Sequence, residues 1–225
     1  MKPTPKLNAG DLVAIGDVHG QIDLLSDMVD LLLGTGVNLL FLGDLIDRAT
    51  QPGGDAAVLD LVKQLMDDPQ SFGLSSVEAL RGNHEDMFLA ALKTRTRYDM
   101  IIWAQNGGDL ESIEALAKHE SWLKKLPYYK RVGTTVFVHA GLMPGLPLSK
   151  QSKGDMVWIR QPFLNAKNLD VKGVKFVVHG HTPNFKGHPV LAPNRLGIDT
   201  GAFKTGILTG YNHGTGETFQ VCRGA

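Results

Sequence analysis

Five short apolar runs in this chain are each followed by polar residues that can bind a metal ion or transfer a proton. Carboxylate oxygens bind hard divalent cations, and Mn, Fe and Zn ions also accept imidazole nitrogens. Each polar residue alone has an ordinary explanation, as a turn former or a buried histidine, but five such clusters together predict a metal site. The residues are Asp17 and His19, Asp44, Asn83 and His84, His139, and His179 with His181.

The apolar runs themselves predict buried β-strands. Each run has three or four mainly aliphatic residues, and glycine stands close to its end. This pattern is typical of strands that are covered on both faces. Polar groups at strand ends are typical of α/β enzymes, whose active sites lie outside the carboxyl ends of the strands. The predicted strands are 12–15, 39–42, 77–80, 135–138 and 176–178.

Helical patterns separate the first three strands. Apolar residues recur at helical spacing over 24–32 and again over 57–65. Strand patterns dominate the C-terminal part of the chain, at 196–198, 205–211 and 218–222. This layout predicts an α/β fold in which a mixed β-sandwich is flanked by helices.

The region between the third and fourth strands has a helical pattern that breaks only at the Asn-Gly-Gly sequence of residues 106–108. Asp109 follows the break and is expected to cap a helix over 110–118. There are no repeats and no linker-like segments. We therefore expect a single domain over 1–225 that carries a helical insertion at about 86–126.

Charge and cysteine content argue against several classes of protein. Lysine and arginine total 23, as do aspartate and glutamate, so the net charge is zero at neutral pH. This argues against a nucleic-acid partner and against a polybasic membrane anchor. Cys222 is the only cysteine, which excludes an intramolecular disulfide and a cysteine-based zinc cluster. No signal-like or membrane-spanning apolar run is visible, so we expect a soluble, cytoplasmic protein.

The order and spelling of the motifs resemble the phosphoprotein phosphatase family, which lies within the calcineurin-like metallophosphoesterases. Three segments match its signature motifs closely, and two later ones are similar to its further metal-binding motifs. The resemblance covers most of the chain, and the C-terminal part looks like bacterial and phage members. The matching segments are Gly16-Asp17-Val18-His19-Gly20, Gly43-Asp44-Leu45-Ile46-Asp47-Arg48, Arg81-Gly82-Asn83-His84-Glu85, His139-Ala140-Gly141 and Gly180-His181-Thr182-Pro183.

The resemblance implies two divalent transition-metal ions that share a hydroxide, which attacks the phosphorus atom directly. Manganese is the expected metal, with iron and zinc as alternatives. His181 is preferred to His179 as a ligand because the family's ligand histidine follows the glycine of this motif. The implied ligands are Asp17 and His19 on the first ion, Asp44 on both ions, and Asn83, His139 and His181 on the second.

The resemblance also implies groups that protonate the leaving group and bind the phosphate. An ester departs as an alkoxide unless a general acid protonates it, and His84 matches the family's acid. Asp47 matches the carboxylate that orients this imidazole. Arg48 and Arg160 match the arginines whose guanidinium groups hold phosphate oxygens, and Asn83 also contacts the phosphate.

Several residues near or outside the motifs carry separate expectations. Family members usually have glycine after the Asp-Arg pair, where this chain has Ala49. If that position requires a positive φ angle, alanine costs about 1 kcal/mol or forces a different loop. Arg81 belongs to a motif but is expected to be structural. Three histidines outside the motifs are expected at the surface or in loops, namely His119, His188 and His213.

The predicted function is a metal-dependent phosphomonoesterase that hydrolyses phosphoserine and phosphothreonine, with phosphotyrosine as a further substrate. The expected partners are phosphorylated proteins or small phosphate esters. The sequence does not indicate an oligomeric state.

Three alternatives to this function remain open. A symmetrical dinucleoside tetraphosphate hydrolase shares the core motifs, although the resemblance implies that such enzymes lack an aspartate equivalent to Asp47. A nuclease or phosphodiesterase would need a second histidine where Pro183 stands. An inactive metal-binding scaffold is the alternative that is not an enzyme, but no ligand and no acid is missing from the motifs.

Overall fold

The computed structural model describes residues 5–224, which contain ten β-strands and eight α-helices. The strands are β1 (Leu12–Ile15), β2 (Asn38–Phe41), β3 (Ser76–Ala79), β4 (Tyr129–Val132), β5 (Thr135–Val138), β6 (Phe176–His179), β7 (Val190–Ala192), β8 (Arg195–Gly197), β9 (Ile207–Asn212) and β10 (Glu217–Cys222). The helices are α1 (Ile22–Leu32), α2 (Gly54–Asp67), α3 (Asn83–Thr94), α4 (Arg97–Gln105), α5 (Ile113–Ala117), α6 (Glu120–Leu123), α7 (Lys153–Trp158) and α8 (Ala202–Thr205).

The strands form two five-stranded mixed sheets. The first sheet has the order β10-β9-β1-β2-β3, with β1, β2 and β3 parallel to one another. The second has the order β4-β5-β6-β8-β7, with β5, β6 and β8 parallel. The predicted fold class, a mixed β-sandwich flanked by helices, is confirmed. In each sheet the parallel strands end along one edge, where the chain can collect side chains from several strands.

The two sheets face each other through alternate residues of their central strands. In β1, Ala14 belongs to the layer between the sheets, whereas Ile15 packs on the helical side. In β5, Phe137 lies in the layer between the sheets, whereas Val136 packs on the outer side. Burial of both faces explains why these strands read as continuous apolar runs. It also holds the register, because a shift of one residue would exchange the two faces.

The helical insertion differs most from its prediction. Four helices, α3 to α6, replace the continuous helical pattern, and α3 already begins at Asn83. The side chain of Asp109 accepts the backbone N–H of Glu111, as expected of a cap. The capped element is a 3-10 turn (Leu110–Ser112), which precedes α5, so the helix expected over 110–118 is shorter. None of the described helices combines the length and the hydrophobicity needed to cross a bilayer.

Two edge strands were not predicted, and one predicted strand begins too early. The strands β4 and β7 lie at the two edges of the second sheet, where one face or both stay open to solvent. The β4 sequence therefore lacks the apolar pattern that burial requires, whereas the apolar residues of β7 are largely exposed. Thr205, expected in a strand, ends α8 instead, because the helix stops at Gly206 with a φ angle of 66°.

Candidate metal centre

The predicted site residues gather where the two sheets bring their strand ends together. They follow β1, β2, β3, β5 and β6 along the chain. Several of them line one cleft of about 320 Å³, which also has aromatic walls. The cleft residues are Asp44, Arg48, Asn83, His84, Asn106, Trp158, Arg160, His181, Pro183, Phe185 and Phe203.

The backbone is strained at the same positions. Non-glycine residues rarely adopt positive φ angles, and each such residue costs on the order of 1–3 kcal/mol. In the described chain only Arg95 and Asp170 have positive φ angles outside the site and glycine. Strain of this kind persists only where surrounding contacts impose it. The positive φ angles therefore indicate that the residues after the strands are held in one defined geometry. The site residues concerned are His19 (49°), Asp44 (50°), Asp47 (69°), Arg48 (63°) and His181 (63°).

Asp44 lies at the centre of the cluster, and its two carboxylate oxygens face different neighbours. Its Oδ2 atom lies 3.7 Å from His19 Nε2 and 3.8 Å from His84 Nε2. Its Oδ1 atom lies 3.3 Å from His139 Nε2. Two groups of potential ligands therefore share Asp44, one with His19 and His84 and the other with His139 and His181. A bridging role for this carboxylate fits the geometry.

Asn83 joins the second group through its side-chain oxygen. Asn83 Oδ1 lies 2.9 Å from His139 Nε2 and 2.9 Å from His181 Nδ1. Ligand atoms that are about 2.1 Å from an octahedral ion are themselves about 3 Å apart. The three donor atoms thus have the spacing of ligands around a single ion. All three residues are buried.

Backbone carbonyls set which imidazole nitrogen faces the cluster. His19 Nδ1–H donates to the carbonyl of Ile46 at 2.9 Å, and His139 Nδ1–H donates to the carbonyl of Leu42 at 3.0 Å. The Nε2 atoms of both rings therefore face Asp44, the orientation that metal-binding histidines have in proteins. His181 Nε2 is buried without a hydrogen-bond partner.

Asp17 and His179 lie beside the two ligand groups and belong to neither. The carboxylate of Asp17 accepts the backbone N–H of His181 at 3.1 Å and is almost fully buried. Its predicted place on the first metal ion stays a prediction. The ring of His179 packs edge-on against Phe163, with 5.1 Å between ring centroids. This position agrees with the choice of His181 over His179.

The buried carboxylates and imidazoles perturb one another strongly. Burial opposes a charge on His139, but Asp44 outweighs it and raises the pKa of His139 to about 10. Burial and the charge of His139 lower the pKa of His181 to about 2. Burial, followed by Asp199, raises the pKa of Asp17 well above its ordinary value. Carboxylates that compete for positive charge in a buried site create the environment in which a cation binds.

The donor set therefore fits divalent transition-metal ions. It combines carboxylate oxygen, amide oxygen and imidazole nitrogen, which suits manganese, iron and zinc alike. The shared Asp44 and the close donors around Asn83 agree with bound cations.

His84, the predicted acid, is held by Asp47 as expected. His84 Nδ1–H donates to Asp47 Oδ2 at 2.6 Å, so its Nε2 atom faces the cleft. Burial opposes a charge on His84, but Asp44 and the bond to Asp47 outweigh it and raise its pKa. Asp47 Oδ1 accepts a second hydrogen bond, 2.8 Å long, from the indole N–H of Trp103 in α4.

Arg48 is held by the Asn-Gly-Gly segment of residues 106–108, which in the sequence was visible only as a break in the helical pattern. Its backbone N–H donates to the carbonyl of Gly107 at 3.0 Å, and its Nε–H donates to the carbonyl of Asn106 at 3.2 Å. Its Nη1 atom lies 2.8 Å from His19 Nε2, and its guanidinium lies over the ring of Phe203. The guanidinium group therefore points into the cleft.

Arg160 lines the same cleft from the segment that follows α7. It precedes a bend after α7, and its Nη2–H donates to the carbonyl of His181 at 3.3 Å. This single contact leaves most of the guanidinium exposed toward the cleft. The structure thus brings Arg48 and Arg160 into one cavity.

Position 49 does not require a positive φ angle in this chain, so alanine does not incur the cost of one. The positive φ angles fall on Asp47 and Arg48, and Ala49 has none. Its methyl group fills the space left by two glycines, since a Cβ atom on Gly20 or Gly54 would lie 2.6 or 3.1 Å from it. Alanine therefore needs no strained backbone here.

The remaining expectations agree with the structure. Arg81 has its guanidinium on the carbonyl of Leu123 and on Asp86, away from the cleft, as a structural residue would. His188 and His213 lie in a loop and a turn. His119 also lies in a turn, as expected of a loop residue, although its side chain is buried and accepts the indole N–H of Trp122.

Two residues that support the strand ends were not assigned a role from the sequence. Glu85 is fully buried and accepts the backbone N–H groups of Asp44, Leu45 and Gly82 at 2.7–3.0 Å. Gln21 donates from its amide to the carbonyls of His19 and Arg48. A hydrogen bond to a backbone group leaves no periodic trace in a sequence, so patterns could not reveal these roles.

A sequence profile of the calcineurin-like phosphoesterases matches residues 11–200. The chain therefore belongs to the calcineurin-like phosphoesterase family. This family depends on metal ions, and the described residues supply two groups that can hold them. A search of curated proteins found no match.

Solved structures of this fold include enzymes with different substrates. A putative diadenosine tetraphosphatase has a TM-score of 0.67 and 20% identity, covering 95% of this chain and 94% of that chain. A protein serine/threonine phosphatase from Saccharomyces cerevisiae has a TM-score of 0.66 and 15% identity, covering 96% of this chain and 81% of that chain. A cold-active protein-tyrosine phosphatase from a psychrophilic Shewanella species has a TM-score of 0.61 and 20% identity, covering 98% of this chain and 82% of that chain. At these identities the likeness establishes the shared fold.

Proposed function

We propose that this protein is a phosphomonoesterase that hydrolyses phosphorylated serine and threonine side chains, with phosphotyrosine as a further substrate. The observation that carries the proposal is the arrangement of three kinds of group around one cleft. Ligand groups share Asp44, the His84–Asp47 pair can deliver a proton, and Arg48 and Arg160 can hold an anion. A phosphate ester needs all three.

The proposed ligands are those that the family resemblance implies. Bound there, two divalent metal ions would activate the attacking water and neutralise charge on the phosphoryl oxygens. The first would be held by Asp17, His19 and Asp44, and the second by Asp44, Asn83, His139 and His181.

Phosphate binding and proton transfer would be carried out by side chains that are positioned by the protein without a metal ion. Arg48 and Arg160 would orient the phosphate from two sides, because guanidinium groups donate paired hydrogen bonds to phosphate oxygens. His84 would give the proton on Nε2 to the leaving oxygen. Asp47 keeps Nδ1 protonated and supports the positive charge on the ring before the transfer.

The aspartate at position 47 supports the choice of a phosphomonoesterase over a dinucleoside tetraphosphate hydrolase. An alkoxide is a poor leaving group and needs an acid, whereas a nucleotide departs as a phosphate anion without much assistance. A buried carboxylate bonded to His84 is useful in the first case and of little use in the second.

A hydrolysis panel with added Mn²⁺ tests the proposal. The substrates are a phosphoserine peptide, a phosphotyrosine peptide, diadenosine tetraphosphate and a bis-aryl phosphodiester. We expect the phosphopeptides to have the highest kcat/KM. Faster hydrolysis of the tetraphosphate than of any peptide would contradict the assignment, and no hydrolysis at all after metal loading would indicate an inactive scaffold.

The route of hydrolysis has its own test. Direct attack by water forms no phosphoenzyme, so no phosphorylated protein should accumulate during a single turnover, and ¹⁸O-labelled water should place one label in the released phosphate. Trapping of a covalent phosphoryl-enzyme would overturn the proposed chemistry.

A further inference from the structure

Trp103 lies in α4 of the helical insertion, 56 residues from Asp47, and its side chain is fully buried. Its indole N–H donates to one oxygen of Asp47, while His84 donates to the other. We propose that Trp103 is a positioning residue for proton transfer: it sets the orientation of Asp47 and, through Asp47, the direction in which His84 delivers its proton. This inference rests on the proposed function, in which His84 is the general acid.

Among the described residues, His84 and Trp103 are the two that donate hydrogen bonds to the carboxylate of Asp47, so Trp103 is its one partner besides the proposed acid. The terminal torsion of an aspartate side chain has a broad energy profile, so one hydrogen bond alone leaves it free to turn. Asp47 is fully buried, which prevents solvent from replacing a lost partner. With His84 on Oδ2 and Trp103 on Oδ1, both oxygens are occupied and the plane of the carboxylate is set.

The indole is itself held by the glycine pair of the insertion. A Cβ atom on Gly108 would lie 2.3 Å from the Trp103 ring, so only glycine lets the backbone cross the indole this closely. The N–H of Gly108 donates to the carbonyl of Trp103 at 3.1 Å. The ring of Phe88 packs against the indole, with 5.3 Å between the ring centroids. The segment 106–108 therefore fixes the position of the Trp103 indole in addition to ending α4.

The same segment reaches the phosphate-binding side of the site. Gly107 has a φ angle of 105°, and its carbonyl accepts the backbone N–H of Arg48. A Cβ atom on Gly107 would lie 2.6 Å from the side chain of Arg48. The insertion thus contacts both members of the Asp47-Arg48 pair, the first through an indole N–H and the second through backbone carbonyls.

Trp122 offers a matched control. Its indole N–H also donates to a neighbouring side chain, the Nδ1 atom of His119 at 3.0 Å. Trp122 also packs within the helical insertion. Neither Trp122 nor His119 lines the cleft. Removing the N–H of Trp122 takes away the same kind of bond at a site without proton transfer.

The test compares Trp103→Phe with Trp122→Phe on two substrates, a phosphoserine peptide and 4-nitrophenyl phosphate, with the Mn²⁺-loaded protein. We expect Trp103→Phe to lower kcat on the peptide roughly 10-fold, the size of effect expected for one lost hydrogen bond to a charged group. KM and metal content should stay unchanged. The aryl phosphate should be little affected, because its leaving group departs without protonation. Trp122→Phe should leave both activities unchanged.

A double-mutant cycle separates positioning from general stability. If Trp103 acts through Asp47, then Trp103→Phe should cause no further loss of peptide hydrolysis in an Asp47→Asn background. Replacement of Trp103 by β-(3-benzothienyl)alanine keeps the shape of the ring and removes only the N–H. It should reproduce the loss seen with phenylalanine even if the phenylalanine variant folds poorly.

Three results would overturn the inference. The first is an equal loss on both substrates, and the second is additive losses in the double mutant. The third is full activity of the benzothienylalanine variant while His84→Asn remains impaired, which would leave the proposed function intact. If the wild-type protein hydrolyses neither substrate, the proposed function itself fails, and the inference fails with it.

Discussion

The two sheets bring different chemistry to the same cleft. Among the predicted site residues, the strand ends of the first sheet carry all the carboxylates, the proposed acid and Arg48. The second sheet contributes imidazoles through His139 and His181, and Arg160 lies on the connection between β5 and β6. Four of the five strained site residues also belong to the first sheet. The first sheet thus carries the negatively charged ligands and the proposed proton donor. The second sheet adds the imidazole ligands that complete the cluster when the two sheets pack together.

The largest effect should follow from removing the carboxylate that faces both ligand groups. Wild-type protein saturated with Mn²⁺ should hold close to two metal equivalents by elemental analysis. Asp44→Asn removes the shared charge, so both sites should weaken and activity should fall by more than roughly 10⁴-fold, beyond the range of a lost general acid. A wild-type metal content near zero would end the dinuclear proposal. Retention of two tightly bound ions by the variant would show that Asp44 does not bridge them.

The next comparison separates a histidine of the first sheet from one of the second. His139→Ala removes a proposed ligand, so metal content and activity should fall together. His84→Asn should keep its metal while kcat on a phosphoserine peptide falls roughly 10²–10⁴-fold, the usual range for a positioned general acid. Asp47→Asn should show the same trend more mildly.

The leaving group provides the check on this second prediction. An aryl phosphate should be hydrolysed by His84→Asn at close to the wild-type rate, because its leaving group needs no proton. If aryl and alkyl phosphates lose equally, then His84 binds or positions the substrate, and the acid assignment must be withdrawn.

A smaller effect should distinguish the two arginines. Arg48 is held by the backbone carbonyls of Asn106 and Gly107, whereas Arg160 has one backbone contact at 3.3 Å. Lysine keeps the charge but lacks the planar fork, so Arg48→Lys should raise KM for a phosphopeptide roughly 10-fold. Arg160→Lys should raise it less. Inhibition by inorganic phosphate should weaken in the same order, and the reverse order would show that Arg160 provides the main phosphate contact.

The last prediction concerns folding stability and leaves catalysis aside. Asp55, near the start of α2, is almost fully buried, and burial, followed by Asp47, raises the pKa of its carboxyl to about 7. The folded chain therefore binds this proton more tightly than the unfolded chain, in which the pKa is about 3.9. Stability from the protonated form is fully present below pH 4 and is lost as the pH rises toward 7.

Asp55→Asn should remove this pH dependence. In urea unfolding the variant should be more stable than the wild type at pH 8, by up to about 4 kcal/mol. The gain should shrink toward zero at pH 4. Asp27→Asn, at an exposed position of α1, is the control and should change stability equally at both pH values. A constant difference for Asp55→Asn would mean that the carboxyl is not protonated in the folded protein.

Much of the fold could be predicted because strand burial leaves a local pattern. Runs such as Leu12–Ile15 are apolar throughout, since one set of residues faces the second sheet and the other faces the helices. Edge strands such as β4 were not visible because exposure removes that pattern. The helical insertion was predicted as a region, but its division into α3 to α6 depends on packing and on short turns.

What the sequence determined by itself is the set of chemical groups and their place at the strand ends. Asp44 and Asn83 follow strands of the first sheet and His139 follows a strand of the second, so each sheet delivers its residues to one edge without further information. Only the tertiary structure decided which oxygen of Asp44 faces which histidine, and that Trp103 and Gly107 hold the Asp47-Arg48 pair from the insertion. The physical reason is the distance along the chain over which each feature is determined. Burial of a strand appears in the types of its own consecutive residues, whereas a hydrogen bond between residues more than fifty positions apart depends on how the whole chain folds.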